Sequence, residues 1–482
     1  MVPRKIFLQT LGSRGDVQPY IPIALAIRDA GFDICIASNV GHRAFVEECG
    51  LKFYGPWIDS EKFMKENETC KKAMAEGSLT DFMKCLGEAG EQYAKESTEK
   101  WKQAMDEFKP DLVISGTLAE MCGRIAAYKM GLPVIEVKLQ AYPPNPKPAP
   151  MGIPDLPFGL NGWVWKNIVL GQLWKSWMAS NDAIEEVLGY KFTDVFSKQM
   201  MLDDHVAPDM QPIPLLIAQA NIFTGIIFPN LPNIYKCIGH SFIKSEVQVD
   251  LARKGGNFGD AQGLDALSAF LAAGSRPVYM GWGSMICKSP EYMVECVSRA
   301  LKHCGLRGII QGGWAHLDLD MLKRVTKDDA LIKYMEENAL FIDKAPHEWL
   351  FPQCAFTVHH GGSGTFGCSA RAGVPMIITP VFLDQFDHAY LVNRLGFGIG
   401  FKKQFQKIKP EELGEAMKDV VSNADMAKKA IEVGRSMHAE DAPAAVVEYI
   451  SEFWTTRVES GKFKAGIKAR QSKPKARCVP CK

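Results

Sequence analysis

The sequence lacks any apolar run long enough to cross a bilayer. The longest, Ile213 to Phe228, is interrupted by Gln219 and Asn221 and falls short of the roughly 20 residues a spanning helix needs. No export is expected from Lys5-Ile-Phe-Leu-Gln-Thr10, a short apolar segment followed at once by glycine and charge. There is no large excess of one charge, the formal net being +1. Within that balance, residues 459–482 hold eight Lys or Arg against the single acid Glu459, which leaves the rest of the chain net acidic. An acidic body argues against nucleic-acid binding, and the tail is expected to be disordered and solvated, with acidic lipid headgroups as its alternative contact. The 13 cysteines show no dense, regular spacing, so reduced thiols in the cytoplasm are expected rather than a disulfide framework. Cys478 and Cys481 form a CxxC with no second pair nearby, and zinc would need four ligands.

What is present is ordinary globular composition in a long chain. Its 482 residues, 47% hydrophobic and 23% charged, exceed what one core usually organises, so two domains are expected. Ile6 to Thr10 reads as a strand, Ile21 to Ala30 as a helix ended by Gly31, and Asp33 to Ala37 as a strand. The alternation continues through strands at Asp111 to Ser115 and Val134 to Lys138, which signals a parallel sheet with crossover helices. It resumes after Lys254-Gly-Gly-Asn-Phe-Gly-Asp260 with Pro277 to Gly281, Arg307 to Gln311, Leu340 to Ile342, Phe356 to His359 and Met376 to Thr379. The expected fold is α/β, two doubly wound Rossmann-like lobes facing across a cleft. Residues 1–245 form the first lobe, 246–262 a linker, 263–458 the second lobe with its C-terminal helices, and 459–482 the basic tail. Between 142 and 160 seven prolines break the rhythm, and Trp163, Trp165, Trp174 and Trp177 follow in a helical stretch. These could wall an apolar pocket or simply pack in the core.

Four loops then fall at the carboxyl edges of strands, where open parallel sheets bind ligands. The first, Thr10-Leu-Gly12-Ser13-Arg14-Gly15-Asp16, has neither the GxGxxG nor the GKS/T signature. It holds a carboxylate on a glycine turn, and Asp16 can serve as a general base or merely cap a helix. The second, His359-His360-Gly361-Gly362-Ser363-Gly364-Thr365, runs from a strand into a helix N-terminus. Its N–H groups, imidazoles and hydroxyls suit a pyrophosphate. Gly281-Trp-Gly283-Ser284 offers further donors, and Asp384-Gln385 offers partners for sugar hydroxyls.

Three motifs together resemble the GT-B glycosyltransferases and, within them, the sterol 3-beta-glucosyltransferase group. They are Gly12-Ser-Arg-Gly-Asp16-Val-Gln-Pro19, Pro346-His-Glu-Trp-Leu-Phe351, and His359 to Thr365 continuing to Arg371-Ala-Gly-Val-Pro375 and Asp384-Gln385. The resemblance spans residues 4–455. It implies transfer of a hexose, glucose foremost, from a UDP-sugar to a sterol-type hydroxyl with inversion, and no metal or other cofactor. It implies Asp16 as base and places Ser13, Arg14, Gly15, Gly283, Ser284, Ala345, His347, His359, His360, Gly361, Ser363, Gly364, Thr365, Asp384 and Gln385 around the donor. Trp163 and Trp174 fall in the acceptor region, and the implied partners are the UDP-sugar, an apolar sterol-like acceptor and a membrane touched peripherally. Two departures stand out: Lys344 occupies the place of a stacking Trp and Gly367 that of a ribose-binding Glu in the plant small-molecule enzymes. Other lipid, terpenoid or polyketide acceptors, and nucleotide-sugar binding without transfer, remain as alternatives.

Overall fold

The structure, a computed structural model, describes residues 3–140, 156–158, 160–206, 211–227 and 235–472. Among these, the strands are β1 (Lys5–Gln9), β2 (Asp33–Asn39), β3 (Lys52–Trp57), β4 (Leu112–Ser115), β5 (Val134–Lys138), β6 (Leu215–Ile217) and β7 (Tyr235–Cys237) in the first lobe. The second lobe has β8 (Val278–Gly281), β9 (Gly308–Gln311), β10 (Ala339–Ile342), β11 (Phe356–His359), β12 (Met376–Ile378) and β13 (Gly398–Gly400). The first sheet runs β3-β2-β1-β4-β5-β6-β7 and the second β10-β9-β8-β11-β12-β13. All pairs are parallel; Phe7, for instance, sits between Cys35 and Val113. Helices cover both faces, which is why β1 and β4 read as unbroken apolar runs instead of alternating ones.

Local sequence signals set the helix ends. In Pro290–Cys304 the Ser289 hydroxyl accepts from the Tyr292 N–H, Pro290 occupies the first turn, and Gly305 closes the helix at φ 68°. The order of each sheet reverses at β1/β4 and β8/β11, so ligand-binding crevices open at those points.

Three segments depart from division by chain order. Helices Ser60–Glu66, Glu68–Glu76 and Leu79–Gln92 project from the first lobe and bury Met64, Cys70, Met74 and Phe82 in the second-lobe core. Phe82 stacks on Phe382 with ring centroids 5.2 Å apart. The expected linker contains a helix, Ser245–Arg253, whose Leu251 and Ala252 join the first-lobe core. The C-terminal helices return to the first lobe, where Val446, Ile450, Phe453, Phe463 and Ile467 are buried.

The last of these corrects the expectation of a disordered tail from 459. Lys462–Ser472 is helical; Phe463, Ile467 and Arg470 recur at helical spacing and are all buried. Burial of Phe463 and Ile467 stabilises the contact by roughly 1.5–3 kcal/mol each. Arg470 donates to Asp204 at 2.8 Å and to the Met200 carbonyl at 2.9 Å. Lys462, Lys464 and Lys468 are exposed on a helix whose other side is core. Residues 473–482, with Cys478 and Cys481, lie outside the described residues.

The thiol expectation is also corrected. Cys70 and Cys85 form a disulfide, because the hairpin of helices Glu68–Glu76 and Leu79–Gln92 brings their Cα atoms to 5.8 Å. The other cysteines among the described residues are free. Among the described residues no helix is long and apolar enough to cross a membrane.

Candidate active site

The first glycine turn follows β1. Gly12 adopts φ 121°, and a Cβ there would lie 2.4 Å from the Asp16 carboxylate, so only glycine lets that side chain fold back over the turn. The Ser13 N–H and hydroxyl donate to the same Asp16 oxygen at 2.8 and 2.9 Å. His42 contacts the Gly12 carbonyl at 3.0 Å and its charge would favour the Asp16 carboxylate. Burial nevertheless wins and raises the Asp16 pKa above the ordinary value. Asp16 thus both caps the turn and has the shifted acidity a general base uses.

The second turn follows β11. Gly361 has φ 91°, and an added Cβ would strike the Ile378 side chain at 2.6 Å. Helix Ser363–Arg371 starts here with no side-chain cap and no acidic residue in its first turn. The N–H groups at Ser363, Gly364 and Thr365 therefore present the helix's positive end to an anion. His359 is fully buried and accepts from the Gly361 N–H at Nδ1, 3.0 Å away. Burial holds its pKa well below the ordinary value, so the ring is neutral with its proton on Nε2. That nitrogen has no partner in the protein, and nor does Nδ1 of His360, whose pKa burial lowers to about 4. A buried donor such as the His359 Nε2–H suits a phosphate oxygen. Gly283, at φ 55°, would place a Cβ 3.5 Å from the His360 ring, so the Gly281–Ser284 loop lies beside it with Ser284 half-buried.

The two turns face each other. A Cβ built on Gly364 would come within 3.9 Å of the Gly15 Cα. Across the same gap, Asp384 is pushed up to about 7, first by burial and then by the Asp16 charge. Asp384 begins helix Asp384–Leu395 directly after Leu383, a non-glycine residue at φ 51°. Such backbone strain is held where the surroundings fix a loop.

Other expected donor residues are placed differently. Arg14 turns toward the expected linker: its guanidinium donates to the Asn257 carbonyl and lies 4.6 Å from the Phe258 ring centroid and 4.9 Å from that of Phe45. Burial there lowers its pKa to about 10. Gln385 spends its Oε1 on the Val381 and Phe382 N–H groups at 2.7 and 3.1 Å, so it holds the loop and only its amide nitrogen is left to donate. His347 is bonded to Gln311 at 2.9 Å and Tyr279 at 3.1 Å and stacks on Phe351, while Ala345 is buried in the lobe core. Trp174 packs against Trp177 and Phe192, and Trp163 is 56% exposed on the outer surface, so these two do not converge. The proline-rich loop at 141–155 lies outside the described residues.

His388 borders the second turn, Asp387 follows Asp384 on the same helix, and neither carries a motif of its own. The buried His388 Nδ1 bonds the Gly361 carbonyl at 2.7 Å, its ring stacks on Phe366 at 4.2 Å, and it lies 4.0 Å from Asp384. Burial lowers its pKa to about 4, so it is a neutral donor at Nδ1. Asp387 is raised well above the carboxylate range by burial and by Asp384. Their spacing of three and four residues from Asp384 on one helix is the signal that could have found them. Among the described residues no group of three or more His, Cys, Asp or Glu is arranged to hold a metal.

Comparison with known proteins agrees with this architecture. Residues 6–136 match the glycosyltransferase family 28 N-terminal domain, and residues 315–453 the erythromycin biosynthesis protein CIII-like C-terminal domain. A sterol 3-beta-glucosyltransferase of Komagataella phaffii is 26% identical over 92% of this chain and 34% of its own length. One of Arabidopsis thaliana is 25% identical over 93% of this chain and 68% of its own length. The chain spans between about a quarter and about a third of the length of the yeast relatives it matches. The kitacinnamycin glycosyltransferase superposes with TM-score 0.62 at 17% identity, covering 93% of this chain and 99% of that one. The spinosyn rhamnosyltransferase SpnG complexed with thymidine diphosphate gives 0.57 at 15%, covering 93% and 100%. The two facing sheets are those of the GT-B fold.

Proposed function

We propose that this chain, a GT-B glycosyltransferase by fold and by the family models it matches, moves a hexose, glucose foremost, from a UDP-sugar to the 3-hydroxyl of a sterol. The observation that carries the reading is the apposition of the Asp16 turn and the His359–Thr365 turn, with Gly15 and Gly364 in near contact. A base and an anion-binding helix end then flank one reacting centre.

In this mechanism Asp16 takes the proton of the acceptor hydroxyl, the hydroxyl oxygen bonds to the anomeric carbon, and the bond from that carbon to the diphosphate oxygen breaks. Attack opposite the leaving group inverts the centre. UDP departs with the negative charge, which the N–H groups of Ser363 to Thr365 and the Nε2–H of His359 stabilise without rearranging. Asp384, largely protonated below pH 7, donates to a sugar hydroxyl there and accepts above it. Donor chemistry of this kind needs no metal, because the helix end and the His359 Nε2–H take the role of a cation. The sterol acceptor is supported by relatives named for that activity along 92% of the chain. A sterol is delivered from a bilayer, so peripheral membrane contact belongs to the same reading.

The test is transfer of labelled glucose from UDP-glucose to a panel of sterols, terpenoids and ceramide by the purified chain with chelator present. Labelled steryl glucoside is the expected product. Label on another lipid alone would replace the acceptor, and UDP binding without transfer to any would refute the enzymatic reading.

A further inference from the structure

Among the described residues, four of the eleven large apolar side chains left exposed fall in one stretch of chain. Within eleven residues, Phe158 is 99% exposed, Leu160 43%, Trp163 56% and Ile168 46%. They lie on the outer side of helix Leu160–Val164 and the π turn Trp165–Val169 that continues it. The inner side is already satisfied, since Val164, Trp165 and Leu170 are buried. The outer residues are therefore surplus to folding. Phe158 is doubly anomalous: it holds φ 58°, a left-handed conformation that is costly for a bulky residue, and it packs on nothing. Exposed Lys166 and Lys175 flank the group, and no Asp or Glu occurs from residue 156 to 181. The stretch that carries the face is thus apolar and cationic, its nearest acids in the chain being Asp155 and Asp182 at its two ends.

We propose that this face docks on an anionic lipid bilayer, with Phe158, Leu160, Trp163 and Ile168 entering the headgroup boundary and Lys166 and Lys175 against lipid phosphates. The proposal rests on the reading that the acceptor is a bilayer lipid. Aromatic rings are favoured at that depth, and each lysine near an anionic surface strengthens binding about fivefold. Charge chooses this occupant over a second copy of the chain, because a twofold contact would set this stretch against itself, and it offers its lysines no carboxylate from residue 156 to 181. The patch belongs to the lobe whose turn carries Asp16, so docking would bring the membrane to the acceptor side.

The test is co-sedimentation of the full chain with phosphatidylcholine vesicles, with and without phosphatidylserine. Two double variants are compared: Phe158→Asn with Ile168→Glu, and Lys166→Glu with Lys175→Glu. The wild type should sediment with phosphatidylserine vesicles, and each double variant should lose at least tenfold of that partitioning. The lysine pair should have little effect on the weaker binding to phosphatidylcholine alone. Both variants should keep wild-type melting temperature and wild-type turnover of detergent-dispersed sterol. Wild-type sedimentation of either variant, or no binding by the wild type, would overturn the proposal. So would loss of turnover on dispersed sterol, which would make the face a wall of the acceptor pocket. Loss of a wild-type dimer in the variants would make it a subunit contact. If the wild type partitions as expected but glycosylates no sterol, docking stands and the acceptor reading falls.

Discussion

Replacing Asp384 by asparagine should stabilise the second lobe above neutral pH. Its carboxyl is moved from an ordinary 3.8 to about 7 by burial and by Asp16. At about 1.4 kcal/mol per unit, holding it ionised in the folded state costs at most about 4 kcal/mol. The side chain is 25% exposed, so solvent screening brings the expected figure to about 2 kcal/mol. The sign follows from the raised folded pKa. The native state keeps a proton that the unfolded chain gives up, so the contribution is whole below pH 4 and is lost as pH rises through 7. Asparagine is free of that loss. Calorimetry should therefore show the variant melting about 4–8 °C higher at pH 8.5, with the gain shrinking toward pH 4. An equal or lower melting temperature at pH 8.5, or a gain independent of pH, would refute the reasoning.

Asp16→Asn should reduce turnover by 10²–10⁴-fold, the range for a lost general base, with UDP affinity measured by calorimetry little changed. His359→Ala should weaken UDP binding by about 1–3 kcal/mol if its unpaired Nε2 meets phosphate, and unchanged affinity would remove that role. Arg470→Met should destabilise the first lobe by about 3–5 kcal/mol in urea titration, because Asp204 would be left buried with Arg124 3.6 Å away as its nearest cation. A loss below 1 kcal/mol would show that the C-terminal helix is held by its apolar residues alone.

The parts legible in the sequence share one physical property. β1, β4, β8 and β11 are buried on both faces and end in glycine turns, so apolar runs and punctuation mark them together. Edge strand β3 contains Gly55 and Pro56, which interrupt any strand period; β6, β7 and β13 are three residues each, too short for any period. Loop positions of the site were legible because carboxyl edges are fixed by topology. Side-chain direction was not: Arg14 turns to Asn257 and Gln385 to its own loop, contacts made through residues remote in the chain or hidden in a turn. The same limit concealed the Cys70–Cys85 bond and the Arg470 pairing, since spacing gives no sign of which helices come to lie together.

The most direct measurement is the anomeric configuration of the product formed from UDP-α-glucose and a sterol, read by proton NMR on the purified glycoside. Single displacement with Asp16 facing the donor turn predicts a β-linked steryl glucoside. An α-linked product, or none from a chain that binds UDP-glucose, would contradict it.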